Sequence, residues 1–305
     1  MASSLISEIQ NGNIKTLARA ISMVENESEG FDLLLQSLPP KSNTPIIGIT
    51  GPPGAGKSTL VDGLIKQLSS NNKRIAVLCV DPSSPFNFGA LLGDRIRMSE
   101  WYTHPNIFIR SLATRGALGG LHPKIIEISE LLQSAAFDYI IVETVGVGQS
   151  EVEIAGLADV TVVVVVPEGG DEVQTMKAGL MEIADIFVVN KADRPNADLF
   201  VKNLQLMLAP TFHSHSEPIA IVKTVASEGN GVDELAAKID EVLLKHLHND
   251  HRFWLLTERA FQLIEKKRMK DVDKQKLRTR IEGLYKDGKG FNLYTFVEEY
   301  RPNWQ

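Results

Sequence analysis

The chain has a single cysteine, Cys79, among its 305 residues. One thiol cannot form an internal disulfide, and this favours a reducing compartment over a secreted, disulfide-linked protein. Cys79 lies inside the apolar run RIAVLCV, so we expect a small buried hydrophobe rather than a nucleophile.

Long apolar runs are also absent from the sequence. The run TVVVVVP at 161–167 is far shorter than the ~20 residues of a membrane-spanning helix, and it is typical of a strand buried in a parallel sheet. The first residues, MASSLISEIQNGN, lack the basic start and apolar block of a secretory signal. They contain Glu8 and no arginine precedes Arg19, which argues against an organellar transit peptide. We therefore expect a cytoplasmic protein without a membrane partner.

The chain lacks an excess of positive charge. Its net charge is −6 and its pI is near 5.7, and lysine and arginine are spread along it apart from EKKRMK at 265–270. The three tryptophans are isolated from one another, so no aromatic platform for bases is indicated. We expect no nucleic-acid partner.

Short β-rich runs alternate with amphipathic stretches from residue 45 onward. The runs are PIIGIT, RIAVLCVD, NIFIRSL, YIIVETV, VTVVVVVP, IFVVNKAD and IAIVKTVA. Such alternation predicts an α/β fold, a mostly parallel sheet with helices on both faces. The predicted domains are an N-terminal helical segment at 1–42, a nucleotide-binding domain at 43–248 and a C-terminal helical extension at 249–305. The two terminal helical segments are expected either to pack together or to form a dimer surface.

A glycine-rich loop follows the first predicted strand. GPPGAGKS at 51–58 fits G-x-x-x-x-G-K-[ST], between a strand and a helix as this phosphate-binding motif requires. Lys57 is predicted to reach the β- and γ-phosphates, Ser58 to bind Mg²⁺ and Thr59 to contact the α-phosphate. The predicted phosphate-binding residues are Gly51, Pro52, Pro53, Gly54, Ala55, Gly56, Lys57, Ser58 and Thr59.

A second motif indicates which base is bound. NKAD, residues 190–193, ends a predicted strand, and a carboxylate at Asp193 can accept hydrogen bonds from N1–H and the exocyclic amine of guanine. Adenine lacks that pair of donors, and a site left with an unpaired carboxylate rejects the wrong base. Asn190 is expected to brace the loop and Lys191 to lie along the base. Ala226, Ser227 and Glu228 follow the last strand, where a backbone N–H can meet guanine O6. The predicted ligands are GTP and GDP.

Carboxylates at other strand ends predict the metal and switch elements. Glu143 in ETVG is expected to hold Mg²⁺, and Gly146 to approach the γ-phosphate. Val147 stands where small regulatory GTPases place a water-orienting glutamine, so we expect slow intrinsic hydrolysis. Asp81 and Asp94 are predicted to face the metal and the water, although Asp94 could instead pair with Arg95. The predicted catalytic residues are Lys57, Asp81, Asp94 and Glu143, and the predicted metal ligands are Ser58, Asp81, Asp94 and Glu143. Arg95, Arg97, Arg110 and Arg115 are alternative sources of transition-state charge.

Several longer segments together resemble one family. DPSSPF…GALLGDRIRM, FIRSLATRGALGGL, IVETVGVGQSE and GDEVQTMKAGLMEIADIFVVNKADRP are similar to those of the MeaB (ArgK-type) GTPases, chaperones of methylmalonyl-CoA mutase. The resemblance covers about residues 45–232. It implies a homodimeric GTPase that binds an adenosylcobalamin-dependent acyl-CoA mutase, gates cofactor loading and protects the mutase. It also implies that the segment 143–151 is a nucleotide-dependent switch.

Two other functions remain open from the sequence. The older ArgK label suggests a kinase, although NKAD argues against ATP. A nickel-insertion GTPase is suggested by HSH at 213–215 and HLHNDH at 246–251, which a solvated helix end also explains.

Overall fold

The computed structural model describes residues 2–39, 44–81, 98–114, 121–146, 150–167, 178–208, 219–245, 250–270, 272–286, 292–298 and 300. The chain forms two compact units, Met1–Leu255 and Leu256–Gln305. The three predicted domain boundaries stay a prediction.

A sheet of seven parallel strands is the centre of the first unit. In chain order the strands are β1 (Ile46–Thr50), β2 (Ile75–Asp81), β3 (Ile107–Ala113), β4 (Tyr139–Glu143), β5 (Val160–Val165), β6 (Ile186–Asn190) and β7 (Ala220–Thr224). Their order across the sheet is β3-β2-β4-β1-β5-β6-β7. Every neighbouring pair runs parallel, so the carboxyl ends of all the strands lie at one edge.

Twelve α-helices lie within the described residues. They are α1 (Ala2–Gln10), α2 (Ile14–Glu25), α3 (Phe31–Gln36), α4 (Lys57–Ser70), α5 (Ile125–Gln133), α6 (Ser150–Leu157), α7 (Ala178–Ile183), α8 (Ala197–Leu208), α9 (Val232–Lys245), α10 (Asp250–Arg268), α11 (Lys274–Lys286) and α12 (Leu293–Glu298). Short 3-10 helices lie at Ser99–Trp101 and Ala226–Glu228. No helix in these described ranges is both long and apolar enough to cross a membrane.

One face of the sheet is covered by α4 and α9. Leu60 and Leu64 of α4 and Leu235 of α9 are fully buried against Ile49 and Val162. Because side chains alternate along a strand, the next residue of β5, Val163, faces the opposite side, where it packs with α7 and α8. The helices therefore cover both faces, as the strand–helix alternation predicted.

The N-terminal helices share the core on that second face. Leu17 and Ile21 of α2 are buried in one cluster with Ile128 of α5 and Ile140 of β4. Asn13 begins α2 by accepting a hydrogen bond from the Thr16 amide at 3.1 Å. The predicted N-terminal helical segment thus packs on the sheet within the first unit.

The second unit contains the end of α10 together with α11 and α12. Phe296 is buried in it, and the Arg280 guanidinium lies 5.5 Å from the Phe296 ring centroid. Other apolar side chains of the unit are exposed, among them Phe261, Tyr285 and Tyr294.

Candidate nucleotide site

The phosphate loop joins β1 to α4 at the carboxyl edge of the sheet. The helix begins at Lys57, and Gly56 before it has a φ of 89°, in the left-handed region that glycine tolerates. A Cβ at Gly56 would lie 2.3 Å from Nδ2 of Asn190, so the loop and the NKAD segment touch at a position where only a hydrogen fits.

Lys57 lies back over the loop that precedes it. Its Nζ donates to the carbonyl oxygens of Gly51 at 2.9 Å and Pro52 at 3.1 Å, and the residue is buried. Gly146 of the ETVG segment contacts the same atoms. A Cβ added at Gly146 would lie 2.6 Å from Lys57 Nζ and 2.3 Å from the Gly51 oxygen. The backbone of Gly146 and the lysine ammonium therefore converge on one point above the loop.

Buried oxygen atoms lie beside this point. Ser58 Oγ donates to Glu143 Oε1 at 2.6 Å, and both residues are buried. Asp81, also buried, ends β2, and the register Cys79↔Glu143 places it beyond Glu143 on the neighbouring strand. A hydroxyl and carboxylates are the oxygen ligands that Mg²⁺ prefers, so this set of residues fits a magnesium ion.

Asn190 connects three loops on the side of the phosphate loop that lies away from Glu143. Its Nδ2 donates to the Ala55 oxygen at 2.9 Å, and its Oδ1 accepts from Thr224 Oγ1 at 3.0 Å and from the Ala226 amide at 3.1 Å. Asn190 is only 3 % exposed. One side chain thus fixes the phosphate loop, the NKAD loop and the segment after β7 relative to one another.

A cavity of about 240 Å³ opens between these loops. It is lined by Gly56, Thr59, Asn190, Lys191, Asp193, Arg194, Val225, Ala226 and Ser227. Lys191 has a φ of 57°, a left-handed turn directly after the strand, and Asp193 is exposed. A carboxylate in an open cavity next to the phosphate loop can pair with the donor edge of a base.

The comparisons with known proteins identify the family. A family model described as methylmalonyl Co-A mutase-associated GTPase MeaB matches residues 17–278. The chain belongs to this MeaB family. The resemblance predicted from the motifs is confirmed, and membership of a GTPase family supports a guanine nucleotide as the ligand.

Relatives of this MeaB-family chain come from several kingdoms. A Pyrococcus horikoshii protein named "Putative GTPase" is 45 % identical over 284 residues, 92 % of this chain and 86 % of that protein. GTPase ArgK of Escherichia coli is 40 % identical over 196 residues, 63 % of this chain and 59 % of that protein. The mouse mitochondrial methylmalonic aciduria type A homolog is 45 % identical over 147 residues, 48 % of this chain and 35 % of that protein.

Among solved structures, that of an LAO/AO transport system kinase superposes with a TM-score of 0.66 at 26 % identity. It covers 98 % of this chain and 95 % of that one. The predicted α/β fold is confirmed.

The structure does not test every predicted site residue of this MeaB-family chain. Asp94, Arg95, Arg97, Arg115 and Val147 lie outside the described residues. Glu228 is exposed, does not line the cavity and accepts a hydrogen bond from Asn230 at 2.8 Å.

Arg110 has partners in the N-terminal helices. Its Nη2 donates to Glu25 at 2.7 Å and to Ser22 at 3.1 Å, both on α2. Of the four arginines proposed for transition-state charge, this one is therefore engaged as an anchor for α2.

The structure also shows site contacts that the motifs did not indicate. Thr50 and Thr144 form a buried hydroxyl pair at 2.9 Å between β1 and the ETVG segment, and Arg194 lines the cavity beside Asp193. On α6, which follows ETVG, burial raises the pKa of Glu153. Arg194 follows NKAD directly and could have been suspected from it, whereas the threonine pair is visible only once the strands are paired.

Proposed function

We propose that this MeaB-family protein binds GTP with Mg²⁺ and hydrolyses it to GDP and phosphate. Hydrolysis would time its action as a chaperone for an adenosylcobalamin-dependent acyl-CoA mutase such as methylmalonyl-CoA mutase. The observation that carries the proposal is the contact of Gly146 with Lys57 and the Gly51 carbonyl. It puts a backbone segment that can move beside the lysine that would hold the γ-phosphate.

The roles follow from the contacts. Lys57 would exchange its bonds to the loop carbonyls for phosphate oxygens, and its charge would stabilise the negative charge of the transition state. Ser58 and Glu143 would hold Mg²⁺ with Asp81 beside them, and the bound ion would neutralise charge on the β- and γ-phosphates. Asp94 remains a proposed water-facing carboxylate.

The base assignment is tested by Asp193→Asn. The substitution replaces an acceptor of two charge-assisted hydrogen bonds, so GDP affinity should fall by about 10²- to 10⁴-fold and preference over ADP should shrink. The matched control is Asp198→Asn, since Asp198 is an exposed carboxylate that pairs with Lys223 at 3.0 Å and does not line the cavity. Unchanged selectivity in Asp193→Asn would contradict the base assignment.

The partner is proposed from the family and from the names of its members. Pull-down from native extract, with GDP and separately with a non-hydrolysable GTP analogue, should recover a cobalamin-dependent mutase in a nucleotide-dependent way. Failure to recover one in either state would contradict the chaperone role.

The proposed homodimer is supported by the exposed apolar side chains of the second unit, such as Phe261 and Tyr294. Sedimentation equilibrium should give twice the 33.6 kDa chain mass. A monomer at micromolar concentration would contradict the dimer.

A kinase is the second candidate, because one solved structure that superposes on this chain is described as a transport system kinase. γ-Labelled GTP separates the two functions. Free labelled phosphate is expected from a GTPase, and label on an added acceptor protein would favour the kinase.

For the nickel-insertion alternative, HSH at 213–215 and residues 246–249 lie outside the described residues. The residues that the structure does describe contain no group of three or more His, Cys, Asp or Glu side chains suited to a metal. Metal analysis of the purified protein tests this alternative, which stoichiometric Ni²⁺ or Zn²⁺ would favour.

A further inference from the structure

Two buried threonines join the start of the phosphate loop to the ETVG segment. Thr50 Oγ1 and Thr144 Oγ1 lie 2.9 Å apart, and the residues are 0 % and 2 % exposed. Thr50 is the last residue before Gly51, and Thr144 directly follows Glu143. The Thr144 amide also donates to the Ile49 oxygen at 3.0 Å, so backbone and side chain both attach this segment to β1.

The same face of β1 carries a second contact with the chain after ETVG. Gly48 and Thr50 are two residues apart in a strand and therefore face the same side of the sheet. A Cβ at Gly48 would lie 2.6 Å from Ile154 Cγ1 and 2.9 Å from Ala158 Cβ, so α6 lies directly on the strand. β1 thus holds the polypeptide before and after residues 147–149.

We propose that the Thr50–Thr144 hydroxyl pair is a positioning device, which sets Glu143 against Ser58 and links the phosphate site to the segment leading into α6. The inference rests on the proposed GTPase function. Ile49, between Gly48 and Thr50, packs on the other face with α4. The Glu143 carboxylate contacts Ser58 at the start of α4, while the hydroxyl pair holds the next residue from the opposite face.

The chemistry of a buried hydroxyl pair gives the inference a specific signature. Removing one hydroxyl leaves the other buried without its partner, and this costs more than removing both together. Thr144→Val and Thr50→Val should each lower the free energy of unfolding. The loss in the double variant should be smaller than the sum of the two single losses. Thr144→Ser keeps the hydroxyl and should restore function.

The experiment measures affinity for a fluorescent GDP with excess Mg²⁺ and with EDTA. In Thr144→Val the affinity gained from Mg²⁺ should fall by about tenfold, because only the backbone then fixes the segment that carries Glu143, while affinity in EDTA stays near that of wild type. GTP hydrolysis should fall with it, mainly in kcat. The matched control is Thr16→Val on α2. It removes a buried hydroxyl that donates to Glu8 of α1 at 2.6 Å, and it should leave the Mg²⁺ effect unchanged.

The outcomes separate this inference from the proposed function. Wild-type protein that binds no guanine nucleotide overturns the proposed function. Wild-type protein that responds to Mg²⁺, together with a Thr144→Val variant that responds equally, overturns the positioning role alone. If Thr144→Val does not fold, Thr50→Val removes the same hydroxyl pair from the other strand, and a Thr50→Val variant with the wild-type Mg²⁺ effect would overturn the positioning role.

Discussion

Replacing Asn190 by alanine should remove the hydrogen bonds that join three loops of the site. Its side chain makes three buried hydrogen bonds, to the Ala55 oxygen, Thr224 Oγ1 and the Ala226 amide, at 2.9–3.1 Å. Each such bond contributes roughly 0.5–1.5 kcal/mol, and buried partners left unsatisfied cost more. We expect Asn190→Ala to lower the free energy of unfolding by about 2–4 kcal/mol.

Two further variants divide this loss among the bonds. Thr224→Val removes only the bond at 3.0 Å and should cost about 1 kcal/mol. Asn190→Asp keeps both acceptor functions but has no donor for the Ala55 carbonyl, and it places a carboxylate oxygen next to that carbonyl. It should therefore be at least as destabilising as Asn190→Ala.

Urea unfolding followed by circular dichroism measures these differences, and fluorescent GDP binding measures their effect on the site. Because Ala55 belongs to the phosphate loop and Ala226 to the cavity, Asn190→Ala should weaken GDP binding more than Thr224→Val does. The reasoning is wrong if Asn190→Ala costs no more stability than Thr224→Val, or if GDP binds both variants equally.

Three other perturbations test separate parts of the molecule. Lys57→Ala removes the ammonium beside Gly146 and should slow GTP hydrolysis by about 10²-fold or more, measured as phosphate release with the circular dichroism spectrum unchanged; near-normal turnover would contradict the role. Arg110→Met and Glu25→Gln break a half-buried ion pair of 2.7 Å and should show a coupling energy of about 1 kcal/mol in a double-mutant cycle of unfolding, whereas additive losses would contradict the pairing. Burial raises the pKa of Glu153 above 4.5, so the folded state holds the Glu153 proton more tightly than the unfolded state does. The free energy of unfolding is therefore highest at low pH and falls as pH rises through the folded pKa. Glu153→Gln should match wild type in melting temperature below pH 4.5 and exceed it by a margin that grows as pH rises from 4.5 to the folded pKa and then stays level. A margin that is the same at every pH would contradict this cause.

Much of the fold could be predicted from local patterns, because each strand is a short β-rich run that ends in polar residues. Helix α6 does not show such a pattern in the sequence. In α6, Ile154, Ala155 and Leu157 are all buried, since the helix packs both on β1 and on α7. A helix covered on more than one side lacks the single apolar stripe that predicts an amphipathic helix.

The site, too, contains residues that the sequence predicts and contacts that only the folded structure reveals. Lys57, Ser58, Asn190 and Asp193 could be placed from motif spacing, because each motif follows or ends a strand that reaches the carboxyl edge. The Thr50–Thr144 and Arg110–Glu25 contacts join residues 94 and 85 positions apart. Strand register and helix packing decide such contacts, and a single sequence specifies neither directly.

The sheet order explains why the two sides of the site should respond differently to nucleotide. β1 lies between β4 and β5, with β6 beyond β5, so the phosphate loop is held by ETVG on one side and by Asn190 on the other. The Asn190 bonds join protein groups to one another and have no need to break when phosphate binds. The bonds of Lys57 to the loop carbonyls and of Ser58 to Glu143 involve the groups that phosphate and Mg²⁺ would take. We therefore expect the base side to stay fixed while the ETVG side, and α6 after it, reports the nucleotide state.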